Sequence, residues 1–172
     1  VMDGARACVA RFERLTKGLG LHVPVPSNDI AYSPLTGKLY ASVPGSDPVR
    51  GNTITEVDPA SGEPGRSIWV GSEPGPLAVS DDGAAMYVGL TGASSVRRMD
   101  LLTFSPLGQF QVGLTGDYIR DRVYAEDLAV LPGDPDSVAV VRRVAGSSGD
   151  DGVGIYTDGV MRPVKVNTIY GP

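Results

Sequence analysis

A chain of 172 residues is long enough to bury one well-formed core and is normally a single domain. Its 23 glycines and 14 prolines exceed average usage but stop short of low-complexity levels, which signals many turns rather than disorder. The formal charge is −5 and no run of Lys or Arg exceeds the pairs Arg97-Arg98 and Arg142-Arg143, so there is no basic footprint and no nucleic-acid partner is expected.

In chain order, residues 7–13 (ACVARFE) and 19–25 (LGLHVPV) read as two strands. Cys8, Phe12 and Leu15 also share a helical face within 5–15, but a repeat further along outweighs that helix. Residues 28–43 (NDIAYSPLTGKLYASV) form an apolar strand, a tight turn and a second apolar strand. Strand-like runs follow at 52–58 (NTITEVD) and 66–70 (RSIWV). The hairpin recurs at 75–90 (GPLAVSDDGAAMYVGL), followed by 95–100 (SVRRMD) and 108–112 (GQFQV). It recurs again at 126–141 (EDLAVLPGDPDSVAVV), followed by weaker runs at 153–157 (VGIYT) and 162–166 (RPVKV).

Aligning Ile30, Leu77 and Leu128 sets the copies 47 and 51 residues apart. Four strands in a period of roughly 45 residues describe a propeller blade, a four-stranded antiparallel sheet. The expected fold is all-β: one incomplete β-propeller domain over 1–172, of about three and a half blades. Residues 1–27 supply an outer half-blade, and 28–74, 75–125 and 126–172 supply one blade each.

Residue chemistry fits these ranks. Innermost strands of a propeller pack on both faces, so they should be apolar and small, as IAYS, LAVS and LAVL are. Fourth strands form the edge, where Pro24, Pro26 and Pro163 end the ladder. The turns at 34–37 (PLTG), 81–83 (DDG), 132–135 (PGDP) and 58–62 (DPASG) pair an Asp or Pro start with a glycine. Their acidic residues are read as caps on backbone amides rather than as ligands. Polar loops at 44–51, 113–124 and 145–152 interrupt the period and are the places where function tends to sit on a rigid scaffold.

Ser72-Glu73-Pro74-Gly75-Pro76-Leu77-Ala78-Val79-Ser80-Asp81-Asp82-Gly83, followed by Met86-Tyr87-Val88, resembles the YVTN-type β-propeller repeat. The hallmark of that family is the string G-x-x-P-x-x-L-A-V-S-x-D-G-x-x-L-Y-V. Residues 28–43 are a looser copy with Leu39-Tyr40-Ala41, and 126–141 keep only Leu128-Ala129-Val130. The resemblance implies a ring of seven blades in an exported or surface protein of bacteria or archaea. Related scaffolds include lactonase-like hydrolases and quinoprotein dehydrogenases, so the fold alone does not define chemistry. Three and a half blades would leave apolar faces open. The expected partners are therefore the remaining blades of a longer chain or other copies of this one, with truncation the favoured explanation.

Catalytic constellations are sparse. The lone His22 falls on an outer strand, away from any nucleophile, and Cys8 alone forms neither an internal disulfide nor a Cys-based zinc site. No apolar run approaches the ~18 residues of a membrane span, so no membrane insertion is expected. The best candidate site is positional: residues just before each innermost strand ring the mouth of a propeller's channel. These are Asn28 and Asp29, then Gly75 and Pro76, then Glu126 and Asp127. Tyr124 and Tyr32 are placed to line the channel, while Arg142 and Arg143 are placed to balance charge or clamp an anionic ligand. No cofactor is expected, although carboxylates and an amide converging on water have the chemistry to hold calcium. Trp69 is read as a blade-packing anchor in preference to a sugar-stacking platform. The expectation is a non-catalytic binding or scaffold module of an exported or cell-surface bacterial protein, located outside the cell, at its surface or in the periplasm. Its ligand would be protein or carbohydrate. The alternative is a fragment of a propeller enzyme, lactonase-like or quinoprotein-type, with its site at the channel mouth.

Overall fold

Short apolar runs bounded by glycine turns pair with their sequence neighbours, because a short loop brings the following strand back alongside the one before it. The computed structural model describes residues 20–115, 121–146 and 149–163. Strand β1 (Asp29–Ser33) pairs antiparallel with β2 (Lys38–Val43), and β3 (Thr53–Val57) and β4 (Pro64–Trp69) complete the first sheet. The second sheet is β5 (Pro74–Val79), β6 (Ala85–Leu90), β7 (Ser95–Asp100) and β8 (Ser105–Gln111). The third is β9 (Val123–Leu131), β10 (Asp134–Val144), β11 (Asp150–Thr157) and β12 (Val160–Met161). Strand order within every sheet follows the chain, and no α-helix occurs among the described residues. The three hairpins lie where the repeat places them. Of the expected half-blade, 7–13 lie outside the described residues, as does the helical alternative at 5–15. Residues 20–25 carry no ladder: Pro24 and Pro26 have no N–H to give. Leu21 and Val23 lie instead against Gly62 in the β3–β4 turn.

The sheets stack in chain order through their first strands, β1 against β5 and β5 against β9. The core consists of two layers between sheets. Period-2 alternation on the second sheet feeds both: Met86, Val88, Leu90 and Met99 meet Tyr40 and Ile54 of the first sheet and Val70 just after it. Ala78, Tyr87 and Val96 meet Ala125, Leu128, Val138 and Val140 of the third. The expectation of innermost strands packed on both faces holds best for β5. On β1, Ile30 and Tyr32 are 61% and 53% exposed, because no described sheet lies beyond them. The strand with every residue buried is the second of its blade, β6.

One carboxylate lies within the packing. Glu56 on β3 is buried, with Oε1 accepting from Arg66 Nη2 at 2.7 Å and Oε2 from Arg66 Nε at 3.0 Å and from Lys38 Nζ at 3.3 Å. The Arg66 guanidinium lies 4.8 Å above the Phe104 ring of the second blade, so this pair also joins the two blades. Burial pushes the Glu56 carboxyl up, and its bonds to Arg66 and Lys38 outweigh that and hold it below its ordinary value of 4.5.

Turn acids behave as amide caps. Asp58 Oδ1 accepts from the Ala60 and Ser61 amides, Asp100 Oδ1 from Leu102 and Thr103, and Asp47 Oδ1 from Val49 and Arg50. Asp82 accepts from Ser80 Oγ and the Ala84 amide. These bonds hold all four carboxyls below the ordinary 3.8 of aspartate. With Glu56 they form a set whose folded-state values are depressed. Their stabilisation is complete above the unfolded values of 3.8 and 4.5 and is lost as pH falls through the lowered folded values. Circular dichroism from pH 7 downwards should therefore show an intact sheet signal to about pH 4 and cooperative loss below it. A flat signal to pH 2 would contradict the capping assignment.

Candidate functional site: the channel mouth

Each first strand begins at the same end of its sheet, so the residues at and near the starts of β1, β5 and β9 converge; β5 and β9 begin earlier than the repeat alone suggests, at Pro74 and Val123. Asn28, Asp29, Gly75, Pro76, Glu126 and Asp127 line one depression of about 310 Å3, the six positions the repeat alignment identifies. Asp29 Oδ1 accepts from the Ile30 amide at 2.8 Å, and Oδ2 accepts from the Leu77 amide of the next blade, also at 2.8 Å. Asn28 Nδ2 donates to the Pro74 carbonyl at 2.8 Å. Pro76 is why Asp29 can serve two blades: a proline holds the place where blade two would otherwise carry its own aspartate, leaving the Leu77 amide for the neighbour. Asp127 repeats the first half of the motif, with Oδ1 accepting from the Leu128 amide at 2.8 Å. Glu126 accepts from Arg143 Nη1 through both oxygens, at 2.7 and 3.0 Å, with Asp150 3.6 Å from the same nitrogen.

The expected pairing of a mouth carboxylate with an arginine is thus met by Arg143. Arg142 corrects its expectation. It is 3% exposed, turned away from the mouth and set beside Asp151, because alternation along β10 puts it on the inward face with Val138 and Val140 and leaves Arg143 on the other. Tyr124 is half-buried on β9 opposite Arg143 and outside the depression. Tyr32 is exposed on β1, also outside it. Trp69 is not a packing anchor: it is 61% exposed at the outer edge, with the Arg97 guanidinium 5.7 Å from its ring centre. His22 is exposed and outside the depression. Asp29 is committed to two amides and Glu126 to an arginine, and no group of three or more His, Cys, Asp or Glu side chains among the described residues is gathered closely enough to hold a metal ion.

The same device joins blades elsewhere. Ser33 Oγ donates to the Gly83 carbonyl at 2.7 Å, the Gly133 amide to Asp81 Oδ2 at 2.8 Å, and the Tyr87 hydroxyl to the Pro135 carbonyl at 3.0 Å. Gly83 is required here. Its φ is +73°, and a Cβ would fall 2.8 Å from the Leu35 backbone of the first blade. Reading the sequence missed these contacts, and it missed the buried Glu56 and Arg142. For the latter two a signal was present: each charge occupies an inward-facing position of a strand otherwise buried there, Glu56 after Ile54 and Arg142 after Val138 and Val140.

Three four-stranded antiparallel sheets, stacked in chain order with their first strands innermost, are blades of a β-propeller. No family model matches the chain, and no curated protein sequence matches it. Solved structures do. Hydrazine synthase of Kuenenia stuttgartiensis superposes with a TM-score of 0.61 at 21% identity over 89% of this chain and 38% of that one. U3-55K gives 0.57 at 15% identity, over 89% of this chain and 41% of that one. The Cps50 (Swd1) β-propeller domain of Myceliophteria thermophila gives 0.56 at 15%, over 83% and 38%. The chain therefore spans well under half the length of these propeller-like neighbours, and at such identities the likeness is one of fold.

Proposed function

We propose that this β-propeller module is a non-catalytic binding or scaffold unit of an exported or cell-surface bacterial protein, of the YVTN repeat type. One observation carries the proposal: the carboxylates at the mouth are already engaged, Asp29 by amides of two blades and Glu126 and Asp127 by partners within the third. General acid–base catalysis needs a carboxyl within reach of substrate and able to exchange its proton. Asp29 instead accepts two backbone amides, one from each of two blades, and Glu126 is held by Arg143. A mouth built this way fixes the stacking of the blades and leaves their rims and outer loops to recognise a protein or carbohydrate. The remaining blades of a longer chain, or other copies, complete the stack in this proposal.

The test is an activity panel of γ- and δ-lactones with and without calcium, and of alcohols with added quinone cofactor and an artificial electron acceptor. No turnover above buffer is expected. Turnover that disappears on Glu126→Gln or Asp127→Asn would overturn the proposal in favour of a propeller enzyme with its site at the mouth.

A further inference from the structure

Away from the mouth, a cavity of about 500 Å3 opens between the end of β8 and the third sheet, walled by Val112, Leu114, Tyr156, Val160 and Met161 with Arg142 at one side. A guanidinium offers five N–H donors, and one taken out of water must have them satisfied. Arg142 Nη2 donates to the Leu114 carbonyl at 2.9 Å and lies 2.8 Å from Asp151 Oδ2. Nη1 donates to the Met161 sulfur at 3.1 Å, a weak acceptor. Nε is buried and has no hydrogen-bond partner among the described residues. Gly154 makes room for the stem: a Cβ there would fall 3.1 Å from Arg142 Cδ and 3.3 Å from Met161 Sδ. The Tyr156 hydroxyl is already engaged, donating to the Val112 carbonyl at 2.6 Å; Gln111, which also lines the cavity, is solvent-exposed, so Arg142 is the buried side chain with donor capacity to offer.

We propose that this cavity binds a small neutral acyl compound, its carbonyl oxygen accepting from Arg142 and its apolar tail lying along Val112, Tyr156 and Val160. The charge pattern decides between ligand classes. Asp151, its side chain 8% exposed, already balances the guanidinium, so a ligand carboxylate would bring an unmatched charge into a largely apolar cavity. A ligand cation would meet Arg142 directly. A carbonyl oxygen satisfies a donor and adds no charge, and the five apolar walls favour a hydrocarbon tail. The proposal goes beyond the reading of the mouth and stands without it.

The experiment titrates the isotopically labelled chain with N-methylbutanamide, N-methylhexanamide and N-methyloctanamide, and with the carboxylates of equal length, following backbone amide resonances. Shifts should centre on Val112, Leu114 and Tyr156. Affinity in the amide series should rise about fourfold per added methylene, the equivalent of about 0.8 kcal/mol per buried CH2. Each carboxylate should bind roughly tenfold or more weakly than its amide. Val160→Trp, at the exposed rim and leaving Arg142 and Asp151 in place, should weaken the amides by a similar factor without unfolding the chain. Carboxylates binding as tightly as amides would overturn the proposal, as would no localised shift up to the solubility limit or amide binding unchanged in Val160→Trp.

Discussion

Arg142→Leu will lower the unfolding free energy by about 3–5 kcal/mol, the largest loss expected for any single substitution at an ion pair in this chain. The reason is not the strength of the pair. Both partners are out of water, at 3% and 8% side-chain exposure, and desolvating two charges offsets most of their attraction. What the substitution removes is the cation 2.8 Å from the Asp151 carboxylate, which stays buried, together with the donor to the Leu114 carbonyl. The double variant Arg142→Leu/Asp151→Leu should recover most of that loss, because no uncompensated charge remains. Urea unfolding followed by circular dichroism measures both. A double variant as unstable as the single one would show that Arg142 acts through packing and not through charge.

Leu90→Ala will cost about 3 kcal/mol, within the range for truncating a fully buried leucine. Leu90 is wholly inaccessible and packs in the layer with Tyr40, Ile54, Val70 and Met86. It also lies against the Gly71 backbone, where φ is +130° and a Cβ would fall 2.7 Å from Leu90 Cδ1, so the link between blades one and two is shaped around this side chain. Because the core lies between sheets, the cavity left by alanine is bounded by two blades and cannot close by adjustment of one. Leu102→Ala, at an exposed turn position, should change stability by less than about 0.5 kcal/mol and serves as the control. Equal losses for the two would contradict a core placed between sheets.

The architecture was legible in the sequence because two independent signals coincide. Alternation within each strand assigns faces, and Gly-bearing turns at a near-constant interval assign partners. Together they place β3 and β7 within a residue of their observed ends, Thr53–Val57 and Ser95–Asp100. That the six positions line one depression was legible for the same reason, since equivalent places in successive copies follow from the repeat alone, although all but Asn28 lie inside the strands rather than before them. The adjacent arginines were legible only in part: alternation from Val138 and Val140 marks Arg142 as the inward one, but its partners at Leu114 and Asp151 are not marked. Contacts such as Asp29 to the Leu77 amide join residues 48 apart and depend on how one blade is rotated against the next, which periodicity does not encode. Trp69 was misread because an aromatic on a fourth strand packs inward only if another blade overhangs it, and none among the described residues does.

The central claim is that Asp29 at the mouth is an inter-blade latch, and amide hydrogen exchange at Leu77 tests it most directly. In the unaltered chain the Leu77 amide should exchange slowly, because it donates to Asp29 of another blade. Asp29→Asn exchanges a carboxylate that accepts two amides for an amide with one acceptor, and should speed Leu77 exchange by roughly tenfold to a hundredfold, in line with loss of a bond to a charged group. The Met99 amide, deep in the second sheet, should keep its protection. A Leu77 amide that exchanges freely in the unaltered chain, or keeps its protection in Asp29→Asn, would contradict the claim and leave Asp29 available for chemistry.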